Sequence, residues 1–237
     1  MTAGPYDVPG AFDAGAKSYD VLVSANPGYH EHLKLSARRM QLPDQGRGLR
    51  LLDIGCGTGA STAALLDAAP HAEIVAVDGS AGMLEEARSK HWPDAVTFVH
   101  SRAENLADAG VTGPFDGILA AYLVRNLGDP DVVLQTLCRL LRPGGVLAVH
   151  EYSVRDSRAA TALWNAVCAS VIIPAGRIRS GDAGLYRYLR RSVNRFDGAR
   201  EFQDRLRRIG FVDVQEMTVP GWQRKIVHTF LGRRPSN

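Results

Sequence analysis

The stretch Leu51-Leu52-Asp53-Ile54-Gly55-Cys56-Gly57-Thr58-Gly59-Ala60 decides the fold of this chain. An apolar run ends near an acid, three glycines then alternate with small residues, and a helical pattern follows. This order predicts a buried parallel strand that turns sharply into a helix. Because glycine has no Cβ, the turn can adopt positive φ and let a ligand lie against the backbone. We therefore predict a nucleotide-binding turn.

The residues of this turn help to distinguish between two kinds of nucleotide. Gly55, Gly57 and Ala60 satisfy the dinucleotide pattern G-x-G-x-x-G/A, in which a pyrophosphate sits at a helix N-terminus. Asp53, however, would repel a pyrophosphate and attract a cation, and Gly59 clears further space along the loop. S-adenosylmethionine, an adenosyl ligand with a cationic amino-acid tail and no phosphate, suits this loop better. The alternative is a purely structural tight turn.

Length and composition favour one soluble domain. The chain has 237 residues, 45% of them hydrophobic, and a formal charge of +3 that does not by itself argue for a nucleic-acid partner. Cys56, Cys138 and Cys168 form no C-x-x-C pair, which indicates a reducing compartment. Met1 to Gly15 lacks the features of a signal peptide. The longest apolar stretch, Ala166 to Ala175, has about 10 residues against the ~20 of a membrane-spanning helix.

From Leu49 onward, strand and helix patterns alternate. Apolar strands alternating with helices indicate an α/β fold with a doubly wound, mostly parallel sheet, and two final strands that reverse direction would give it an antiparallel edge. The seven predicted strands are Leu49–Ile54, Glu73–Val77, Val96–His100, Phe115–Ala121, Val146–Glu151, Phe211–Met217 and Gln223–Gly232. The predicted helices of this region are Ala60–Ala68, Ala81–Lys90, Pro130–Leu141, Ala159–Ile173, Leu185–Val193 and Glu201–Ile209.

We predict that the whole chain, 1–237, forms a single domain with four parts. These parts are an N-terminal helical cap (1–48), a nucleotide-binding core (49–151), a helical insertion on the substrate side (152–198), and a C-terminal helix with two strands (199–237). Within the insertion, Pro174 to Gly184 is predicted as a loop. The sequence leaves open whether residues 175–196 act as a lid.

The carboxyl ends of the parallel strands are where such sheets bind ligands. Asp78 ends the second strand, where its carboxylate would accept both ribose hydroxyls of an adenosine. A solvated strand end or a helix N-cap is the alternative for Asp78, although Ser80 can serve as the cap. Met83 would pack on the adenine face, and a core position explains it equally well.

Three motifs resemble those of class I S-adenosylmethionine-dependent methyltransferases, which have a Rossmann-like fold. They are Leu51–Ala60, Asp78-Gly79-Ser80-Ala81-Gly82-Met83-Leu84 and Leu141-Arg142-Pro143-Gly144-Gly145. A narrower likeness is to the ubiquinone/menaquinone biosynthesis C-methyltransferases (the UbiE/MenG family). It rests on Ser18-Tyr19-Asp20, Tyr122–Leu127, His150-Glu151-Tyr152-Ser153 and Gly181 to Phe196. The chain departs from that family at Val21–Gly28 and Pro220–Val227, both of which would shape the acceptor pocket.

The resemblance implies that S-adenosyl-L-methionine binds, that S-adenosyl-L-homocysteine is released, and that no metal takes part. The residues assigned to the cofactor are Asp53, Gly55, Gly57, Gly59, Asp78, Gly79, Met83, Arg102, Ala103, Glu104, Ala121 and Tyr122. The family has Asp or Asn after the third strand to accept from the adenine amino group. Here Arg102 has no acceptor, so backbone groups near Ala103 or the Glu104 carboxylate would hold adenine.

Methyl transfer from a sulfonium is an in-line displacement in which alignment is worth up to ~7–11 kcal/mol. An aromatic carbon acceptor must also lose a ring hydroxyl proton, and the anion must be stabilised. Arg125 would stabilise that phenolate and Asn126 would orient the ring oxygen, unless Arg125 merely pairs with a nearby acid. His150 would face the same cleft with Glu151 and titrate near neutral pH, or serve a structural role. Candidate substrate contacts are Tyr19, Tyr29 and Tyr186.

The leading hypothesis is C-methylation of a prenylated quinol by a cytoplasmic enzyme that touches the inner membrane face. The apolar stretch Val167–Ile173 and the arginines after it would suit such a peripheral contact. One alternative is O-, N- or C-methylation of another small aromatic or secondary metabolite. Another is an NAD-dependent oxidoreductase, but no Tyr-Lys or similar hydride-site pair is evident. A nucleic-acid methyltransferase would need an appended basic recognition domain or a catalytic N-P-P-Y-type motif, and neither is evident in the sequence. A homodimer is left open.

Overall fold

A seven-stranded sheet organises the molecule. The computed structural model describes residues 28–180 and 184–236. Its strands are β1 (Arg50–Ile54), β2 (Glu73–Asp78), β3 (Val96–His100), β4 (Phe115–Ala121), β5 (Leu141–Tyr152), β6 (Val212–Thr218) and β7 (Val227–Arg233). They lie in the order β3-β2-β1-β4-β5-β7-β6. The first five are parallel, and β7 runs antiparallel to both of its neighbours. The predicted fold class is therefore confirmed, with the reversed strand lying second from the edge that β6 closes.

Eight α-helices surround this sheet in the described part of the chain. They are α1 (Tyr29–Arg39), α2 (Ala60–Ala68), α3 (Ala81–Arg88), α4 (Pro130–Leu140), α5 (Arg158–Val167), α6 (Ile173–Ser180), α7 (Gly184–Arg195) and α8 (Ala199–Ile209). A π-helical turn, Cys168–Ile172, joins α5 to α6, and a short 3-10 helix, Val124–Asn126, follows β4. This short helix carries two of the predicted catalytic residues.

Strand alternation gives the sheet a packed core on each face, because successive side chains point to opposite sides. Leu52 and Ile54 of β1 belong to a cluster with residues of α4 and α8. Leu51, whose side chain points to the opposite face, belongs to a second cluster with residues of α1 and α2. Since both faces of the strand are buried, no side chain of β1 reaches a ligand except at its carboxyl end.

The region from Pro174 to Gly184, predicted as a loop, contains the helix α6. Pro174 is the second residue of α6, and Ile173 separates it from the π-helical turn. The π-helical turn shifts the hydrogen-bond register just before this proline, since the Ile173 N–H donates to the Cys168 carbonyl. The helical segment Arg158–Arg177 therefore has 20 residues, twice the predicted apolar stretch, and only 22% of it is buried. By length and composition alone it could span a membrane, which for a single helix is weak evidence.

Candidate active site

A cavity of about 290 Å³ lies at the carboxyl ends of the parallel strands. It is lined by Tyr29 and by residues 54–58, 60, 61, 77–80, 83, 101–104, 121–123 and 125–128. These stretches follow β1, β2, β3 and β4 in turn, as expected for a parallel sheet. The structure thus brings together most of the predicted cofactor residues. Leu123, Leu127 and Gly128 also line the cavity and were not among the predicted site residues.

The glycine loop after β1 forms one wall of the cavity. Gly55, Gly57 and Gly59 all have positive φ, at 75°, 55° and 93°. A Cβ built on Gly57 would meet no atom within 4 Å, so this position faces open space. A Cβ on Gly59 would lie 2.6 Å from the ring of Trp92, and Gly59 does not line the cavity. The prediction that Gly59 clears space for the ligand is therefore corrected, because it clears space for Trp92.

Asp78 connects the ends of β1 and β2 at the cavity wall. Its Oδ2 accepts a hydrogen bond from the Gly57 N–H (2.8 Å), and its Oδ1 accepts one from the Ser80 N–H (2.8 Å). The Ser80 hydroxyl caps α3 by accepting from the Met83 N–H at 3.1 Å. Ser80 is therefore the cap, and the Asp78 carboxylate lies at the strand end in the cavity wall, where it was predicted. Met83 is buried and lines the same cavity.

Asp53 lies behind the glycine loop and does not line the cavity. Its Oδ2 accepts hydrogen bonds from the hydroxyls of Ser61 (2.8 Å) and Thr62 (2.6 Å) in the first turns of α2. Its Oδ1 is buried and makes no hydrogen bond to any described residue. Burial raises the pKa of Asp53 to about 7. The structure therefore assigns Asp53 to the support of the loop and the start of α2, with no direct place in the cavity wall.

The residues after β3 form the end of the cavity predicted to hold adenine. Arg102, Ala103 and Glu104 all line it, together with Ser101. Ala103 is buried, whereas Arg102 and Glu104 are exposed. Glu104 and the backbone around Ala103 therefore both lie at this end of the cavity, and their contact with adenine stays a prediction.

A buried ion pair joins the short 3-10 helix after β4 to β5 on the other side of the cavity. Arg125 Nη1 lies 2.6 Å from Glu151 Oε1, and their side chains are 6% and 0% exposed. Arg125 Nη1 also donates to the Tyr122 carbonyl at 2.7 Å. Burial raises the pKa of Glu151, an effect that Arg125 partly offsets. Arg125 therefore does pair with a nearby acid, which was the alternative left open by the sequence. It nevertheless lines the cavity, whereas Glu151 does not.

Asn126 connects the cavity to α7. Its Nδ2 donates to the Tyr122 carbonyl (2.9 Å), and its Oδ1 accepts from the Tyr188 hydroxyl (3.1 Å). Tyr186, the predicted substrate contact, does not line the cavity and instead packs against Gly176, where a Cβ would lie 2.1 Å from its ring. Two residues two apart on a helix point in very different directions, so only one of these tyrosines can face the site. That residue is Tyr188, which does not line the cavity itself but contacts Asn126 in its wall.

An aromatic stack forms the remaining wall. The Tyr122 ring is stacked on Tyr29 (centroids 5.6 Å apart) and on Tyr152 (4.8 Å), and Tyr122 has a φ of 55°. The Tyr122 hydroxyl lies 3.0 Å from Nε2 of His150, whose Nδ1 is 2.7 Å from the Ser36 hydroxyl. A tyrosine in the left-handed region costs about 1–2 kcal/mol, so the surrounding contacts must stabilise this conformation.

His150 lies behind this wall and not in the cleft where it was predicted. It is fully buried on β5, and Tyr122 separates it from the cavity. Burial lowers its pKa to about 3, so it is neutral near neutral pH and does not titrate there. Of the other predicted substrate contacts, Tyr29 lines the cavity and Tyr19 lies outside the described residues.

The sheet order, the glycine loop and the carboxylate at the end of β2 together define the fold of the class I S-adenosylmethionine-dependent methyltransferases. Among solved structures, the plantazolicin methyltransferase BpumL in complex with SAH has a TM-score of 0.65 at 14% identity, covering 94% of each chain. The [4+2]-cyclase SpnF has a TM-score of 0.69 at 17% identity, covering 98% of this chain and 97% of that chain. At these identities the likeness shows the fold alone.

Sequence comparison then gives the family. The model of the ubiE/COQ5 methyltransferase family matches residues 2–222, and the chain belongs to this family. The ubiquinone/menaquinone biosynthesis C-methyltransferase UbiE of Bradyrhizobium diazoefficiens is 32% identical over 217 residues, 89% of this chain and 85% of that protein. The demethylmenaquinone methyltransferase of Clavibacter sepedonicus is 31% identical over 219 residues, 91% of this chain and 86% of that protein. The predicted family, enzyme class and cofactor are confirmed.

The residues of the site fit S-adenosylmethionine. The loop at Gly57 leaves room beside the backbone, the Asp78 carboxylate can accept hydrogen bonds, and aromatic and apolar side chains complete the wall. Carboxylates and open backbone suit a sugar and a cationic tail and do not suit a pyrophosphate. The cofactor's own chemistry is the donation of an activated methyl group.

Proposed function

We propose that this enzyme transfers the methyl group of S-adenosylmethionine to a ring carbon of a prenylated benzoquinol or naphthoquinol. The observation that carries the proposal is the position of Arg125 and Asn126 in the wall of the cofactor cavity, beside the stacked rings of Tyr29 and Tyr122. An aromatic acceptor can pack against these rings. The names of the relatives from Bradyrhizobium diazoefficiens and Clavibacter sepedonicus support the same substrate class.

Within this proposal, Arg125 stabilises the anion that forms when the ring hydroxyl loses its proton. Arginine keeps its charge at any relevant pH and is therefore an electrostatic partner and not a base. Glu151 fixes the guanidinium in place through its contact of 2.6 Å. Asn126, held by Tyr188 and the Tyr122 carbonyl, orients the ring oxygen. Gly55, Gly57, Asp78 and Met83 hold the cofactor, and Asp53 supports their loop from behind.

The remaining proposals concern where the enzyme works. Because a prenylated acceptor is lipid-soluble, we propose a cytoplasmic enzyme that meets its substrate at the inner membrane face as a peripheral protein. Residues 152–198 form the substrate-side part of a single domain, as their contact from Tyr188 to Asn126 supports. A homodimer stays a prediction, which the molar mass in solution by light scattering would test.

The experiment that tests the proposed function is a methyl-transfer assay with a labelled methyl group. Purified enzyme would receive a short-chain demethylmenaquinol, a demethylated ubiquinol precursor and a panel of simple phenols. We expect label on a quinol ring carbon, identified by mass spectrometry and NMR. Label that appears only on phenol oxygens, or only on amines, would replace the quinol with another small acceptor. Asn126→Ala should reduce kcat while the Kd for S-adenosylhomocysteine stays within about twofold of the parent, because Asn126 acts on the acceptor.

A further inference from the structure

A cluster of arginines on the outer face of α7 is not explained by methyl transfer. The segment from Arg158 to Arg195 contains seven arginines and one acid, Asp182, which gives it a formal charge of +6 against +3 for the whole chain. The rest of the chain is therefore net negative. The positive charge of this protein is local, so the cluster is not a by-product of a generally basic surface.

Four of these arginines surround a depression between α5 and α7, which we call the arginine pocket. Its lining residues are Asn165, Arg187, Arg190, Arg191, Asn194 and Arg195. The five from α7 recur at intervals of three and four residues and so share one helix face. None of the four arginines forms an ion pair with another residue in the described ranges, in contrast to Arg205 and Arg207 on α8.

Two asparagines fix the floor of the arginine pocket. Asn165 Nδ2 donates to Asn194 Oδ1 (3.2 Å) and Asn194 Nδ2 donates to Asn165 Oδ1 (3.1 Å), which ties α5 to α7. Asn165 Oδ1 also accepts from Arg190 Nε at 2.7 Å. That bond orders the Arg190 guanidinium by its Nε and leaves its terminal nitrogens without a hydrogen bond to a described residue. Guanidinium groups held in this way are suited to the oxygens of a phosphate.

The helix beside the arginine pocket exposes apolar side chains. Only 22% of the segment Arg158–Arg177 is buried, and Leu163 and Val171 are 43% and 58% exposed. Leu163 lies two residues before Asn165 on α5, so it points away from the floor of the arginine pocket, and the two features lie on different sides of α5. A helix at a membrane surface can bury such an apolar side while arginines beside it reach the phosphates of anionic lipids. The same α7 contacts the active-site cavity through Tyr188 and Asn126, so a membrane at this face would lie next to the acceptor's wall.

We propose that the arginine pocket binds the phosphate of an anionic phospholipid while Leu163 and Val171 enter the bilayer surface. The proposal rests on the proposed function only for its purpose, which is to bring the enzyme to a lipid-soluble acceptor. The phosphate contacts hold the protein in a fixed orientation, and the apolar face adds hydrophobic contact. This arrangement distinguishes a defined lipid site from general attraction between a basic surface and an anionic one.

The test measures vesicle binding of the full chain and needs neither an acceptor nor turnover, so its outcome is independent of the methyl-transfer assay. Co-sedimentation would compare vesicles of phosphatidylcholine with vesicles that also contain phosphatidylglycerol. We expect strong binding only with phosphatidylglycerol. Arg190→Gln/Arg191→Gln should weaken it by about 30-fold, at about fivefold for each arginine. The control Arg207→Gln/Arg208→Gln removes the same charge from α8 and should change binding by less than about threefold.

Two neutral changes separate a lipid site from simple charge attraction. Asn165→Ala keeps every charge but frees Arg190, and we expect about fivefold weaker binding from the lost hydrogen bonds. Leu163→Asn/Val171→Asn should weaken binding by about tenfold or more, since both side chains leave the bilayer. Unchanged binding in both variants would overturn the proposal, as would an equal loss in the α8 control. Each variant must retain the parent's S-adenosylhomocysteine affinity, which shows that it is folded.

Competing ligands complete the test. Inorganic phosphate, at matched ionic strength, should not displace the protein from the vesicles, because it offers no apolar surface. Displacement by phosphate as complete as that by excess phosphatidylglycerol vesicles would instead assign the pocket to a free phosphate. Binding of a short DNA or RNA duplex that depends on Arg190 and Arg191, with no vesicle binding, would assign it to nucleic acid. Either result would overturn the membrane proposal.

Discussion

The two walls of the cavity are built in different ways. The wall after β1 and β2 consists mainly of backbone, with the open position at Gly57 and one carboxylate, Asp78, from a single short stretch of sequence. The wall after β4 and β5 consists of side chains from distant elements, and its contacts run from Tyr29 and Ser36 to Tyr188. We call them the cofactor wall and the acceptor wall.

This difference indicates what each wall must do. Any enzyme that binds the same cofactor can use the same loop, because backbone groups and glycines depend little on the rest of the chain. The acceptor wall buries an arginine, a glutamate and a histidine, and buried polar groups are expensive unless each has a partner. A fold does not require such groups, so we infer that their arrangement serves the acceptor and the reaction.

The largest expected effect is the loss of stability when an ion pair is broken in the acceptor wall, compared with one broken on the protein surface. Arg125→Ala leaves the Glu151 carboxylate buried without its cation, so the free energy of unfolding should fall by about 3–5 kcal/mol. Arg207→Ala, which removes an ion pair with Asp204 whose side chains are 51% and 62% exposed, should cost no more than about 1 kcal/mol. Urea unfolding at one pH measures both values. Similar losses in the two variants would contradict a special role for the buried pair.

A double variant separates stability from catalysis at the same site. Arg125→Ala/Glu151→Ala removes both charges, so it should regain much of the stability that Arg125→Ala loses. If Arg125 stabilises the phenolate, the double variant should still turn over slowly, about 10²–10³-fold below the parent, while binding S-adenosylhomocysteine normally. A double variant with parental kcat would remove Arg125 from the reaction.

The second prediction compares two glycines within the cofactor wall. Gly59→Ala should lower the free energy of unfolding by about 2–3 kcal/mol, because it combines left-handed strain with a clash against Trp92. Gly57→Ala should lower it by only about 1 kcal/mol, since its Cβ meets no atom within 4 Å. That Cβ instead takes cofactor space, and we expect at least tenfold weaker S-adenosylhomocysteine binding by calorimetry. Equal affinity losses in the two variants would contradict separate roles.

The same contrast explains what could be predicted from the sequence. The sheet and the cofactor wall follow from local rules, because strand periodicity, glycine conformation and the position of Asp78 at a strand end depend on neighbours in sequence. The predictions for Asp53 and Gly59 were wrong because the sequence shows that an acid or a glycine is present but not whether it faces the ligand or the interior. Trp92, the partner of Gly59, lies too far along the chain to be inferred.

The acceptor wall depends on tertiary contacts that no local pattern contains. His150 ends up behind Tyr122 because of a strand neighbour and a left-handed tyrosine, neither of which periodicity reveals. The choice of Tyr188 over Tyr186 depends on how α7 is rotated, which Gly176 and Asn126 decide. The segment Gly181 to Phe196, which carries part of the family resemblance, contains both tyrosines, but nothing in its sequence shows which of them faces the site. Arg125 and Asn126 were found because they directly follow a strand.

The smallest expected effect is the pH dependence of stability, because Asp53 and His150, buried behind the two walls, change the free energy of unfolding in opposite directions. Asp53 has a pKa of about 7 when folded against about 3.8 when unfolded, so the native state binds the extra proton and stability rises as pH falls from 7 to 4. His150 has a pKa of about 3 when folded against 6.5 when unfolded, so the unfolded state binds the extra proton and stability falls as pH falls below 6.5.

Between about pH 4 and 6.5 these two slopes, each about 1.4 kcal/mol per pH unit, nearly cancel in the parent protein. Asp53→Asn removes the first slope and can still accept from Ser61 and Thr62, so its stability relative to the parent should fall on acidification from pH 6.5 to 5. His150→Gln removes the second, so its stability relative to the parent should rise over the same interval. Comparison with the parent cancels the contribution of every other titrating group. Urea unfolding at several pH values measures all three proteins, and parallel curves would show that the two groups titrate alike in the folded and unfolded chain.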